Sequence, residues 1–155
     1  MLEAFATIAY AAVGGFVAAV CMSIFEIPFW REWGMEGVTE WQINSVMASM
    51  IFRAQKKSVK VRYAVAMHLL HGVILGVIYL LLLLLLLPGL AGTPLSILES
   101  AIFYNLLLWL VSPFATRRFF ESKGRFKIIG RGLVISFLSH IIYGAVLGVF
   151  IAQLF

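Results

Sequence analysis

Apolar residues run through this chain in long tracts, separated only by short polar stretches. Four tracts, over about 4–26, 63–87, 95–114 and 132–154, reach the ~20 residues an α-helix needs to cross a bilayer. None alternates as a strand would. The pattern predicts an all-α fold, a four-helix transmembrane bundle forming a single integral membrane domain over 1–155.

Between the first two spans the pattern changes. Trp41, Val46, Met47, Met50, Ile51 and Ala54 recur at three and four residues, opposite Glu40, Gln42, Asn44, Ser45, Ser49, Arg53 and Gln55. This predicts an amphipathic helix over about 39–56. Thr39 and Gln42 have capping-box spacing at its start. Such a helix is expected to lie along the inner membrane interface. The rival expectation packs it under the bundle or against a partner protein. The outer half of span two is a run of leucines, Leu80 to Leu87, read as lipid-exposed filler because it has no preferred face.

Composition agrees with a membrane solvent. Of 155 residues, 63% are hydrophobic and 12% charged, against about a quarter charged in a soluble domain. All 12 Lys and Arg fall in two stretches, Arg31–Arg62 and Arg117–Arg131. Basic residues stay on the cytoplasmic side, so both stretches are expected in the cytoplasm and both termini outside. The net charge of +5 then marks topology and attraction to anionic lipids, and no nucleic-acid partner is expected. The single cysteine, Cys21, allows no internal disulfide and reads as a small buried hydrophobe. The acidic start Met1-Leu2-Glu3 does not suit a cleavable signal, so the first span is expected to be retained.

Spans two and four carry related motifs. His68-x-x-His71-Gly72-x-x-Leu75-Gly76 matches His140-x-x-Tyr143-Gly144-x-x-Leu147-Gly148 at an offset of 72. Spans one and three both end in Pro-Phe, at Pro28-Phe29 and Pro113-Phe114. Two parallel helical hairpin repeats are therefore expected, with a pseudo-twofold axis along the membrane normal. Gly14, Gly72, Gly76, Gly144 and Gly148 are the expected helix-packing residues, since small-xxx-small faces let helix backbones approach closely.

Polar groups inside a membrane need partners and mark candidate sites. His68, His71 and His140 are the candidate cofactor-binding residues, and with Glu26 the candidate metal ligands. Neutral imidazoles ligate metals and haem. The competing expectation is that each histidine bonds a carbonyl or a polar neighbour and fixes packing. Glu26 could accept from His68 or His71, or pair with Arg31, while Glu99 is expected near the outer interface. No nucleophile with an orienting base is evident, and no Asp occurs.

The chain resembles small four-span integral membrane proteins of bacteria and archaea. The likeness rests on Gly14-Gly15, Ala18 and Met22 in span one and on His68 to Gly76 in span two. It continues with Trp109 to Pro113 in span three and His140 to Gly148 in span four. It implies a four-helix membrane fold and no catalytic residues. The preferred expectation is a non-catalytic multi-pass cell-membrane protein without a cofactor. It would serve as an accessory subunit of a larger membrane complex, such as a respiratory or monooxygenase assembly, or as a self-associating bundle. The alternatives are a haem- or transition-metal-binding electron-transfer protein, and a small oligomeric transporter or channel.

Overall fold

The computed structural model describes residues 2–34, 37–52, 61–120 and 130–155, with side chains except at 113–120. Among them there are five α-helices and no strand: α1 (Leu2–Trp33), α2 (Thr39–Ile51), α3 (Val61–Leu85), α4 (Pro94–Phe120) and α5 (Gly130–Ile151). All but α2 are long and apolar enough to cross a membrane. Positions 53–56 of the expected amphipathic helix, and 121–129 of the second basic stretch, lie outside the described residues.

Two helices run further than their apolar tracts. Span one was expected to close near Pro28, but α1 continues through it to Trp33. Proline removes one backbone donor and clashes with the preceding turn, yet Phe25, Phe29 and Trp33 stack in sequence along this end, with centroids 5.6 and 5.3 Å apart. Gly34 then ends the helix at φ 75°, a conformation that side chains disfavour. Helix α4 likewise continues beyond Pro113 to Phe120. It begins on a reciprocal cap. Ser96 N–H donates to Thr93 Oγ1 at 3.1 Å, and Thr93 N–H donates to Ser96 Oγ at 3.2 Å, with Pro94 at the first helical position.

Helix α1 packs on α3 and α5, and α4 packs on α5. Small residues set these approaches. A Cβ on Gly15 would stand 2.4 Å from Gly72 O, and one on Gly76 would stand 2.7 Å from Ala11 O. On the other side, a Cβ on Gly144 would meet Ile102 Cα at 2.7 Å, and one on Gly148 would meet Leu98 Cα at 2.9 Å. Gly14 faces the Phe150 side chain. Tyrosines tie α3 to α4: Tyr79 OH donates to Ile97 O at 2.8 Å, and Tyr104 OH donates to Leu75 O at 3.3 Å.

The leucine run is not uniform filler. Leu80 and Leu83 are fully buried in the core beside Ile97 and Ile151, while Leu84 to Leu87 are exposed. Helical period, rather than composition, selects the buried pair.

Helix α2 departs most from expectation. Its polar face was expected outward, yet Thr39, Glu40, Gln42, Asn44, Ser45 and Ser49 are all buried. The exposed residues at its end are apolar, Met50, Ile51 and Phe52. The helix packs on α3 and, less extensively, on α5, and its apolar residues Trp41, Val46 and Ala48 are buried as well, so both faces meet the protein. Two glycines permit this, since a Cβ on Gly132 of α5 would lie 2.6 Å from Gly37 O. The capping position also differs. Val38 is the N-cap and offers no side-chain bond, so Thr39 is the first helical residue.

Candidate binding site within the bundle

The inward face of α2 closes one side of a cavity of about 60 Å³, counted as the space open to water centres. All five helices line it. Ala19 and Met22 come from α1, and Glu40, Ile43 and Asn44 from α2. His68, His71, Gly72 and Leu75 come from α3, Asn105 and Ser112 from α4, and His140 and Tyr143 from α5. The volume exceeds the ~10–15 Å³ that one water requires, so it holds several waters or one small solute.

The three histidines meet at this cavity, and hydrogen bonds fix the Nδ1 role of two of them. Asn44 Nδ2 donates to Glu40 O at 2.8 Å and lies 3.0 Å from His68 Nδ1. The amide nitrogen is a donor only, so Nδ1 of His68 accepts and its ring proton sits on Nε2. His140 is the reverse. Its Nδ1 lies 2.8 Å from Ser136 O, an acceptor only, so Nδ1 carries a proton. The two histidines thus stand at matched positions of the repeat and use Nδ1 oppositely, His68 accepting and His140 donating. Tyr143, the counterpart of His71, donates its hydroxyl hydrogen to Gly72 O at 2.5 Å.

Glu40 anchors the opposite wall. Its Oε1 accepts a short hydrogen bond from Ser136 Oγ and lies 3.6 Å from His140 Nδ1. Behind it sits Glu26, fully buried, with Ser139, Glu40 and Trp41 as neighbours. None of them meets hydrogen-bond geometry at its carboxyl oxygens. Glu26 is not paired with Arg31, which is exposed, and it does not line the cavity. Trp41 is stacked between Trp30 and His68, with centroids at 5.3 and 5.1 Å, and so holds the His68 ring in place.

Glu40 Oε2, Asn44 Oδ1 and His68 Nε2, each on a side chain more than nine-tenths buried, meet no hydrogen-bond geometry, although the Glu26 carboxyl neighbours Glu40 and the Ala19 carbonyl neighbours the His68 ring. The chemistry available is recognition by hydrogen bonding and charge. Haem ligation by His68 and His140 requires two Nε2 lone pairs, and that of His68 is protonated by its bond to Asn44. Among the described residues no three His, Cys, Asp or Glu side chains converge as a metal site would require.

The structure brings all three sequence-predicted histidines to this cavity, together with Glu40 and Asn44, which the sequence reading did not single out as site residues, and with Trp41 stacked on His68. A signal was present. A helix lying on an anionic surface carries Lys or Arg on its polar face, and over 39–56 these fall only at the end, Arg53 and Lys56, with none over 39–52. Glu40 and Asn44, four apart, form a short polar stripe better suited to a buried partner than to lipid headgroups.

Glu99 is exposed at the far end of α4, away from these groups. No family model matches the chain, and no curated protein or solved structure matches it either.

Proposed function

We propose that this is a non-enzymatic, multi-pass membrane protein that admits a small polar solute into an internal chamber. The single observation carrying this reading is one cavity between all five helices whose lining gathers His68, His71, His140, Glu40, Asn44 and Asn105. Ionisable groups inside a membrane are costly and are retained where they bind or conduct something. The exterior asks for less. Ile24, Leu70, Ile74 and Phe103 are exposed as lipid or another apolar helix would require. An accessory or self-associating role is therefore the setting for the chamber rather than its rival, and the oligomeric transporter would need a second opening.

The two basic stretches support an orientation with both on the cytoplasmic side and both termini outside, where they would attract anionic lipids. In that orientation α2 sits at the inner membrane boundary as a plug beneath the chamber. The matching contacts of Gly72 and Gly76 with α1, and of Gly144 and Gly148 with α4, support two parallel hairpin repeats.

Cysteine accessibility tests the chamber. In a Cys21→Ser background, Ser112→Cys places a thiol at the cavity wall, and Leu83→Cys places one in the apolar core. Iodoacetamide should label the first and spare the second. Equal inertness of both would overturn the reading.

A further inference from the structure

We infer that Glu26 and Glu40 form a proton-binding site at the wall of the chamber, two carboxyls that hold one proton between them while the His140 imidazolium balances the remaining charge. The ligand is the proton itself. The inference goes beyond the chamber reading and does not depend on what enters the chamber.

Four buried atoms that meet no hydrogen-bond geometry carry it: Glu26 Oε1 and Oε2, Glu40 Oε2 and Trp41 Nε1. They belong to one cluster, because Glu26, fully buried on α1, has the Glu40 carboxyl and the Trp41 side chain of α2 as neighbours. With both carboxyls ionised, two groups that only accept would face each other. The nearby serine does not relieve them, since Ser139 gives its hydroxyl hydrogen to Ile135 O at 2.8 Å. One proton does. Placed on Glu26, it donates to Glu40 Oε2 and leaves the second Glu26 oxygen to accept from the Trp41 indole N–H. Glu40 Oε1 keeps the hydroxyl of Ser136. Every oxygen of the pair then has a partner, as buried polar atoms nearly always do.

Charge requires the same proton. Among the described residues one basic group stands within ion-pair reach of either carboxyl, His140, whose Nδ1 lies 3.6 Å from Glu40 Oε1. His68 on α3 is neutral, because its Nδ1 accepts from Asn44. His71 lines the chamber but reaches neither acid. On α5, Tyr143 is bonded to Gly72 O, and α4 brings Asn105 and Ser112, neither of which ionises. Arg31 and Arg131 are exposed, the second lying over the Trp33 ring at 4.6 Å. One positive charge thus faces two acids. A single carboxylate is balanced by it, and a second would be an uncompensated buried charge. Glu40 is the carboxylate of the two, since the Ser136 hydroxyl and the His140 N–H favour its charged form. Glu26 keeps the proton.

Infrared spectroscopy tests this on the full chain in nanodiscs of ether lipids, which lack ester carbonyls. At about pH 8 an ordinary glutamate, with a usual pKa of about 4.3, is a carboxylate. The wild type should nevertheless show the carbonyl stretch of one protonated carboxyl per chain. Carbon-13 labelling of glutamate should shift that band, and the chain has no Asp to confuse it. Glu26→Gln should abolish the band, because Glu40 is then left with His140 alone. Glu40→Gln should keep it, because Glu26 stays buried without a cation. His140→Gln should raise it towards two carboxyls per chain, because Glu40 loses its counter-charge. A wild type without the band would overturn the inference, whether or not the variants fold. A band that survives Glu26→Gln would also overturn it, since the proton would belong to another carboxyl. A band unchanged in His140→Gln would overturn the charge balance. The chamber reading fails separately, on the labelling of Ser112→Cys.

Discussion

The crossing of α1 and α3 is the tightest helix contact in the bundle, and Gly15→Ala tests it. A Cβ at Gly15 would lie 2.4 Å from Gly72 O and 3.1 Å from Gly76 Cα. Carbon–oxygen contacts ordinarily begin near about 3.3 Å, so the shortfall is on the order of 1 Å. Both obstacles are backbone, which cannot swing aside as a side-chain tip does. The helices must part, and a gap of ~0.5–1 Å forfeits about a quarter to a half of each dispersion contact at the seam. Overpacking of this kind costs about 1–3 kcal/mol. The better helix propensity of alanine returns at most about 1 kcal/mol. The expected net destabilisation is about 1–2 kcal/mol, read by reversible unfolding in mixed micelles. Gly89→Ala is the control, because nothing lies within 4 Å of that position. A Gly15→Ala variant as stable as Gly89→Ala, within about 0.5 kcal/mol, would refute the close crossing.

Two further substitutions probe the same bundle. Leu83→Ala should destabilise by about 2 kcal/mol or more, and Leu85→Ala by a few tenths at most, because Leu83 is buried and Leu85 is 73% exposed; equal effects in the same unfolding assay would contradict the assigned face of the leucine run. Tyr143→Phe should cost about 1 kcal/mol by removing the donor to Gly72 O across the bundle, and an unchanged unfolding midpoint would count against that bond.

The long apolar tracts made the four spanning-length helices legible, because length and hydropathy alone decide such segments. The glycine spacing was legible for the same reason: residues four apart share a face, and Gly72, Gly76, Gly144 and Gly148 each meet a neighbouring helix. What escaped was orientation. A moment shows that α2 has two faces but not that both meet the protein: Glu40 and Asn44 reach Ser136 and His68, while Trp41 and Val46 are buried as well. The leucine run hid its buried pair because identical residues carry no pattern. The proline stops failed too. Pro28 and Pro113 lie inside helices, and Gly34 rather than proline closes α1. The candidate site was half legible: the histidines came from one repeat motif, while their partners lay on α2, which the repeat does not contain. Glu26 was read against Arg31 because they are near in sequence, and tertiary packing put Ser139 and Glu40 closer.

The chamber depends on two histidines that share a motif and use Nδ1 oppositely. Nitrogen-15 spectra of the imidazoles in lipid nanodiscs, assigned with His68→Gln and His140→Gln, read this directly. The account predicts His68 protonated at Nε2, held by Asn44, and His140 protonated at Nδ1, held by the Ser136 carbonyl. In Asn44→Leu the His68 signal should lose its fixed tautomer while that of His140 stays unchanged. The same Nδ1 state at both positions, or a His68 signal indifferent to Asn44→Leu, would contradict the chamber as described.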